Sequence, residues 1–106
     1  MGVKFNVTIM DDVLEFIRTL SAKEQSKIFG AINFLGNKKF DKVYVKQLTG
    51  NIKELKIKRC RLIFFIHKDE IYFIRMFVKK SNKTPKSEIE LALKFYKSFI
   101  KFNQDI

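Results

Sequence analysis

The sequence predicts an α+β domain in the order strand, helix, helix, three strands, helix. Three observations carry that expectation. Within its first ten or so residues the chain passes from a period of two into helical spacing. From Ile52 to Val78 it returns to strand-like runs separated by two-residue turns. Thr84-Pro85 then reopens helical spacing that lasts almost to the end. At 106 residues, a single domain over 1–106 is expected. A chain of that size buries roughly two-thirds of its unfolded surface, enough for a core.

Each element has a local reason. Val3, Phe5, Val7 and Ile9 alternate with Lys4, Asn6 and Thr8, which describes a half-buried strand. Asp11 or Asp12 can cap a helix with Val13, Phe16, Ile17 and Leu20 on one stripe. Ser21-Ala22-Lys23-Glu24 reads as a capping box. It opens a second helix whose buried face carries Ile28, Ala31, Ile32 and Leu35, and Gly36-Asn37 supplies a left-handed stop. The two helices form an αα-hairpin. Strands then run over Ile52–Ile57, Cys60–His67 and Glu70–Val78, an antiparallel meander. Thr84 caps the last helix, with Pro85 at its first position. Ile89, Ala92, Leu93, Tyr96 and Ile100 face the core there. Leu91, Phe95 and Phe99 widen the stripe, so this helix is expected to be well buried.

Composition removes several functions. The lone Cys60 excludes an intrachain disulfide and a cysteine zinc site, and the lone His67 excludes a two-histidine metal site. His67 beside a turn and Cys60 as a small apolar filler read as structural. No apolar run reaches the length of a membrane span. The N-terminus lacks the pattern of a secretory leader, and a cytoplasmic protein is expected. The formal net charge is +11, of which residues 46–106 hold +9. A polyanionic partner is expected on the second half of the chain.

Strand register then assembles a site. If Lys58-Arg59 are the turn of a hairpin, Ile57 opposes Cys60, Lys56 opposes Arg61 and Glu54 opposes Ile63. Glu54, Lys56 and Arg61 fall on one face, and a slip of one residue would scatter them. Lys79, Lys80, Lys83 and Lys86 follow the last strand with no acid among them. Beside a helix N-terminus they make a plausible phosphate cradle. The same residues have plainer readings. Glu54 with Lys56 or Arg61 is also a cross-strand ion pair, and Lys79-Lys80 a solvated strand end. Tyr72 and Tyr96 are candidates for stacking bases.

Lys46-x-Leu48-x-Gly50, Glu54-Leu55-Lys56, Arg61-Leu62, Phe77-x-Lys79-Lys80-Ser81, Lys83-Thr84-Pro85, Glu88-Ile89 and Ala92 together resemble the HigB-like, phage-associated branch of the RelE/ParE toxin superfamily. The family pattern has Arg where this chain has Lys56, so the charge stays and the bidentate fork is lost. Residue 60, usually aromatic in the family, is cysteine. The resemblance implies a RelE-like fold and a type II toxin acting as a metal-independent mRNA interferase on ribosome-bound mRNA, without a cofactor. In that reaction the ribose 2′-OH attacks the adjacent phosphorus, leaving a 2′,3′-cyclic phosphate and a 5′-OH. It needs a base, an acid and cations for the phosphorane. Arg61 is the expected phosphorane stabiliser, with Lys56, Lys79 and Lys80 for proton transfer or phosphate binding. Glu54, or a lysine kept neutral by neighbouring cations, is the base. Lys46, Lys58, Arg59, Lys83 and Lys86 would hold RNA. A cognate helix-turn-helix, HigA-like antitoxin is implied, with DNA reached only through it. A ParE-type gyrase toxin and an inert RNA-binding module are the alternative readings.

Overall fold

The computed structural model describes residues 4–103. Five strands form one sheet in the order β1-β5-β4-β3-β2, from β1 (Asn6–Ile9), β2 (Tyr44–Thr49), β3 (Ile52–Ile57), β4 (Cys60–His67) and β5 (Glu70–Val78). β2 to β5 pair antiparallel, and β1 lies parallel to β5 at the edge. The helices are α1 (Asp11–Arg18), α2 (Ala22–Gly36) and α3 (Lys86–Phe102). The meander therefore has four strands rather than the three expected. Tyr44–Thr49 escapes notice because its pairing with β3 is broken by an extra residue, Leu48. The first strand starts at Asn6, and Val3 lies outside the described residues.

The sheet separates two cores. On one face Leu55, Leu62, Phe64, Phe73 and Met76 meet Val13, Ile17, Ile28, Ile32 and Leu35 of α1 and α2. On the other, Ile52, Ile63, Phe65 and Ile74 meet Ala92 of α3. β4 is thus covered on both sides along its middle, which its continuous apolar run requires.

Local signals hold with adjustments. Ser21 Oγ accepts from the Glu24 amide at 3.1 Å, the cap bond of the expected box. Neither Asp11 nor Asp12 caps α1. Met10 stands at that position, and both aspartates lie in the first turn, where the helix dipole favours them. Gly36 is the last residue of α2, and the left-handed residue is Lys38, at φ 62°. Gly36 answers a different need. A Cβ there would lie 3.1 Å from Val7 Cγ2, where β1 passes the helix end. Pro85, not Thr84, precedes the first helical residue of α3, and no side chain caps it. α3 is less buried than expected. Only Ala92 is fully buried, and Leu91 is 47% exposed. No helix is long and apolar enough to cross a membrane.

Candidate functional site

The β3–β4 hairpin has the register read from the sequence. Ile57 pairs with Cys60, Lys56 with Arg61 and Glu54 with Ile63. The two-residue turn holds Lys58 at φ 55°, and this conformation serves the site. It aims the Lys58 carbonyl at Arg61, whose Nη1 donates to Lys58 O at 2.6 Å and to Cys60 O at 2.9 Å. Arg61 Nε lies 3.5 Å from Glu54 Oε2. The other carboxylate oxygen, Oε1, accepts from Thr84 Oγ1 at 2.5 Å. Glu54 is 2% exposed and Arg61 8%, the two buried charged residues among those described. Among the described residues Arg61 Nη2 carries no hydrogen bond.

This pair floors a cleft of about 210 Å³. Lys56, Lys79 and Lys83 line it with Phe77, Ser81, Asn82 and Thr84. Lys56 stands on β3 and Lys79 just past β5, on either side of Arg61. A buried carboxylate keeps an arginine fixed and a hydroxyl oriented, while three lysines make the rim cationic. Such a pocket can hold a phosphodiester and stabilise added negative charge on it. Among the described residues no cluster of His, Cys, Asp and Glu could hold a metal ion.

The other expected residues lie elsewhere. Lys80 lines the adjoining cleft between α1, β5 and the start of α3, with Pro85 and Glu88. That N-terminus therefore does not line the Glu54–Arg61 cleft, and Glu88 in its first turn is bound by Arg75 at 2.7 and 3.2 Å. Lys46 pairs with Glu54 across β2–β3 but is exposed and outside the cleft, as is Lys86. Arg59 forms a fork with Glu24 on α2, at 2.7 and 3.1 Å, rather than standing free for a ligand. That hydrogen bond holds the Glu24 carboxyl below the usual range. Cys60 is buried against α1 and α2, and burial pushes its thiol up. His67 sits at the far end of β4, its ring edge-on to Phe99.

Thr84 was legible only as a helix cap, since Thr-Pro is the ordinary opening of a helix. Its reach to Glu54 crosses 30 residues. Tyr72 and Tyr96, the expected stackers, pack on Phe65 instead. Tyr72 donates to Glu70, which together with burial pushes its hydroxyl up to about 12. Tyr96 accepts from Asn51.

A sheet covered by an αα-pair on one face and a single helix on the other is the fold this chain shares with RelE chains of known structure. A chain of the archaeal RelE–RelB complex from Pyrococcus horikoshii OT3 matches with a TM-score of 0.59 at 16% identity, over 73% of this chain and 97% of that one. One from the RelB–RelE antitoxin–toxin complex of Methanococcus jannaschii matches with a TM-score of 0.59 at 15% identity, over 74% and 99%. Identities this low establish the fold alone. The family is established by sequence: residues 15–97 match the family described as phage derived protein Gp49-like (DUF891), and the chain belongs to it. No curated protein sequence matches.

Proposed function

We propose that this protein is the toxin of a type II toxin–antitoxin pair, an endoribonuclease that cleaves ribosome-bound mRNA in the cytoplasm without a metal. The observation that carries the reading is the buried Glu54–Arg61 pair beneath a lysine rim. Glu54 has both oxygens engaged, one by Arg61 and one by Thr84. It therefore acts as a positioning residue, not as the base. Arg61, with Nη2 uncommitted, stabilises the phosphorane. Lys56 and Lys79 flank it, and in-line displacement needs its proton acceptor and donor on opposite sides of phosphorus. Lys83 and, more remotely, Lys46, Lys58, Lys80 and Lys86 attract the RNA backbone. Arg59 does so only if it leaves Glu24.

The similar archaeal chains come from complexes with RelB. A cognate antitoxin is the matching partner here, and a helix-turn-helix, HigA-like protein would make the pair's DNA contacts. An acidic antitoxin segment would associate quickly with so cationic a chain.

The test is incubation of the purified protein, stripped of metal with EDTA and dialysed free of it, with a translation extract that keeps its own Mg2+. Cleaved mRNA ending in 2′,3′-cyclic phosphate is expected, at the same rate as with protein that was never stripped. Lys79→Ala, at an exposed position, should lower the rate by about 100-fold or more. Arg61→Lys should do so with the fold retained, because charge remains but the fork is lost. Intact mRNA with arrested supercoiling would overturn the reading in favour of a gyrase toxin. Intact RNA and DNA would leave an inert binding module.

A further inference from the structure

Tyr44 is the tyrosine the fold leaves uncommitted. It is 67% exposed, while Tyr72 and Tyr96 are packed on Phe65. Its ring is nevertheless oriented: the ammonium of Lys56, its partner across β2–β3, lies 4.8 Å from the ring centroid. Directly opposed residues share a face, so Tyr44, Lys56 and Arg61 form one row across three strands. Tyr44 is two strand spacings from Arg61, about 10 Å.

Beside Tyr44 an apolar hollow opens, floored by Ala31 and Phe34 of α2 and rimmed by Lys27, Lys42 and Lys56, with no acidic residue in its lining. Lys56 lines both this hollow and the Glu54–Arg61 cleft. Along the row from Arg61 past Lys56 to Tyr44 on the edge strand, a ligand meets cations, then an aromatic face. That succession matches a phosphate followed by its nucleobase.

We propose that Tyr44 is a stacking platform for the nucleobase next to the phosphate held at Lys56 and Arg61. This rests on the ribonuclease reading and adds to it a substrate-positioning contact. The flat face of tyrosine accepts any base, so the contact anchors the strand without fixing its sequence. The cationic rim takes the neighbouring phosphate. The Lys56 ammonium steadies the ring from one face and stands between it and the phosphate, so the base stacks on the other face.

The chain contains no tryptophan, so Tyr44→Trp introduces a single reporter. The probes are a short 2′-O-methyl oligoribonucleotide, which cannot be cleaved by 2′-OH attack, and the same chain with abasic sugars. Quenching of the indole by the base-bearing chain and not by the abasic one is expected. Tyr44→Ala should weaken binding of the base-bearing chain by about ten-fold and leave the abasic chain unaffected. Tyr44→Phe should bind as wild type. Equal affinity of wild type and Tyr44→Ala for the base-bearing chain overturns the proposal. Equal losses on both chains overturn it too, because Tyr44 would then act only through the charge of Lys56. Quenching by an acidic amphipathic peptide, and not by RNA, would assign the hollow to a protein partner instead. Cleavage in the extract is read separately. Base-dependent quenching without cleavage fails the nuclease reading and spares the stacking site, whereas cleavage without quenching fails the stacking site alone.

Discussion

One face of β4 carries Arg61, Ile63, Phe65 and His67 in succession, and its two ends have opposite fates. At the far end α3 lies over the sheet. Phe65 is fully buried there, with ring contacts to Tyr72, Phe95, Tyr96 and Phe99. At the near end only the segment leading into α3 crosses the sheet, and Glu54, Arg61 and Thr84 occupy the space a helix would fill. The same strand is thus a hydrophobic core at one end and a polar pocket at the other. What differs is the cover. Aromatic rings need only an apolar neighbour, whereas a buried charge needs polar partners, which Glu54 and Arg61 find in each other, in Thr84 and in the Lys58 and Cys60 carbonyls.

The largest expected effect is at the aromatic end. Phe65→Ala should cost about 3–5 kcal/mol and loosen α3, seen as a lower denaturant midpoint and faster amide exchange in α3. Glu54→Ala should cost about 3 kcal/mol, because it strands a buried guanidinium. A joint replacement, Glu54→Leu with Arg61→Met, sharpens the contrast. It should restore stability to near wild type and, on the ribonuclease reading, remove mRNA cleavage. A joint variant that remained unstable would show that the pair chiefly holds the fold together. Thr84→Val should lower stability by about 1 kcal/mol and reduce cleavage, since Glu54 Oε1 loses its donor. Lys68→Gly, in the turn opposite the site at φ 56°, should raise stability by about 1 kcal/mol without touching cleavage.

The smallest effect concerns the Glu24–Arg59 fork at the hairpin tip. Both groups are solvent-accessible, so the pair contributes little. Its sign is still defined. The folded Glu24 carboxyl is more acidic than the unfolded one, so the contribution is present at neutral pH and is lost as pH falls through the folded value. Urea melts of wild type and Glu24→Gln should therefore converge in acid and separate, slightly, at neutral pH.

Much of this was legible in the chain. The hairpin register followed from Lys58-Arg59 being the shortest turn between two apolar alternations, and with it the common face of Glu54, Lys56 and Arg61. The edge strand β2 was not, because its register is interrupted at Leu48. Lys79 and Lys80 read as one basic pair, yet they line different clefts, since neighbouring residues diverge where the chain leaves the sheet. Thr84 read only as a helix cap, and Tyr44 carried no signal of its own. Their roles depend on Glu54, 30 positions before Thr84, and on Lys56, 12 after Tyr44.

The sequence by itself determined the alternation of elements, the pairing of the site-bearing hairpin and the excess of positive charge. These are properties of neighbours along the chain: side-chain period, turn length and composition. The tertiary structure decided which charges became buried, which lysines share a cleft, and which tyrosine stays exposed. Those outcomes depend on what lies across the sheet, and no local pattern encodes where α3 stops covering it.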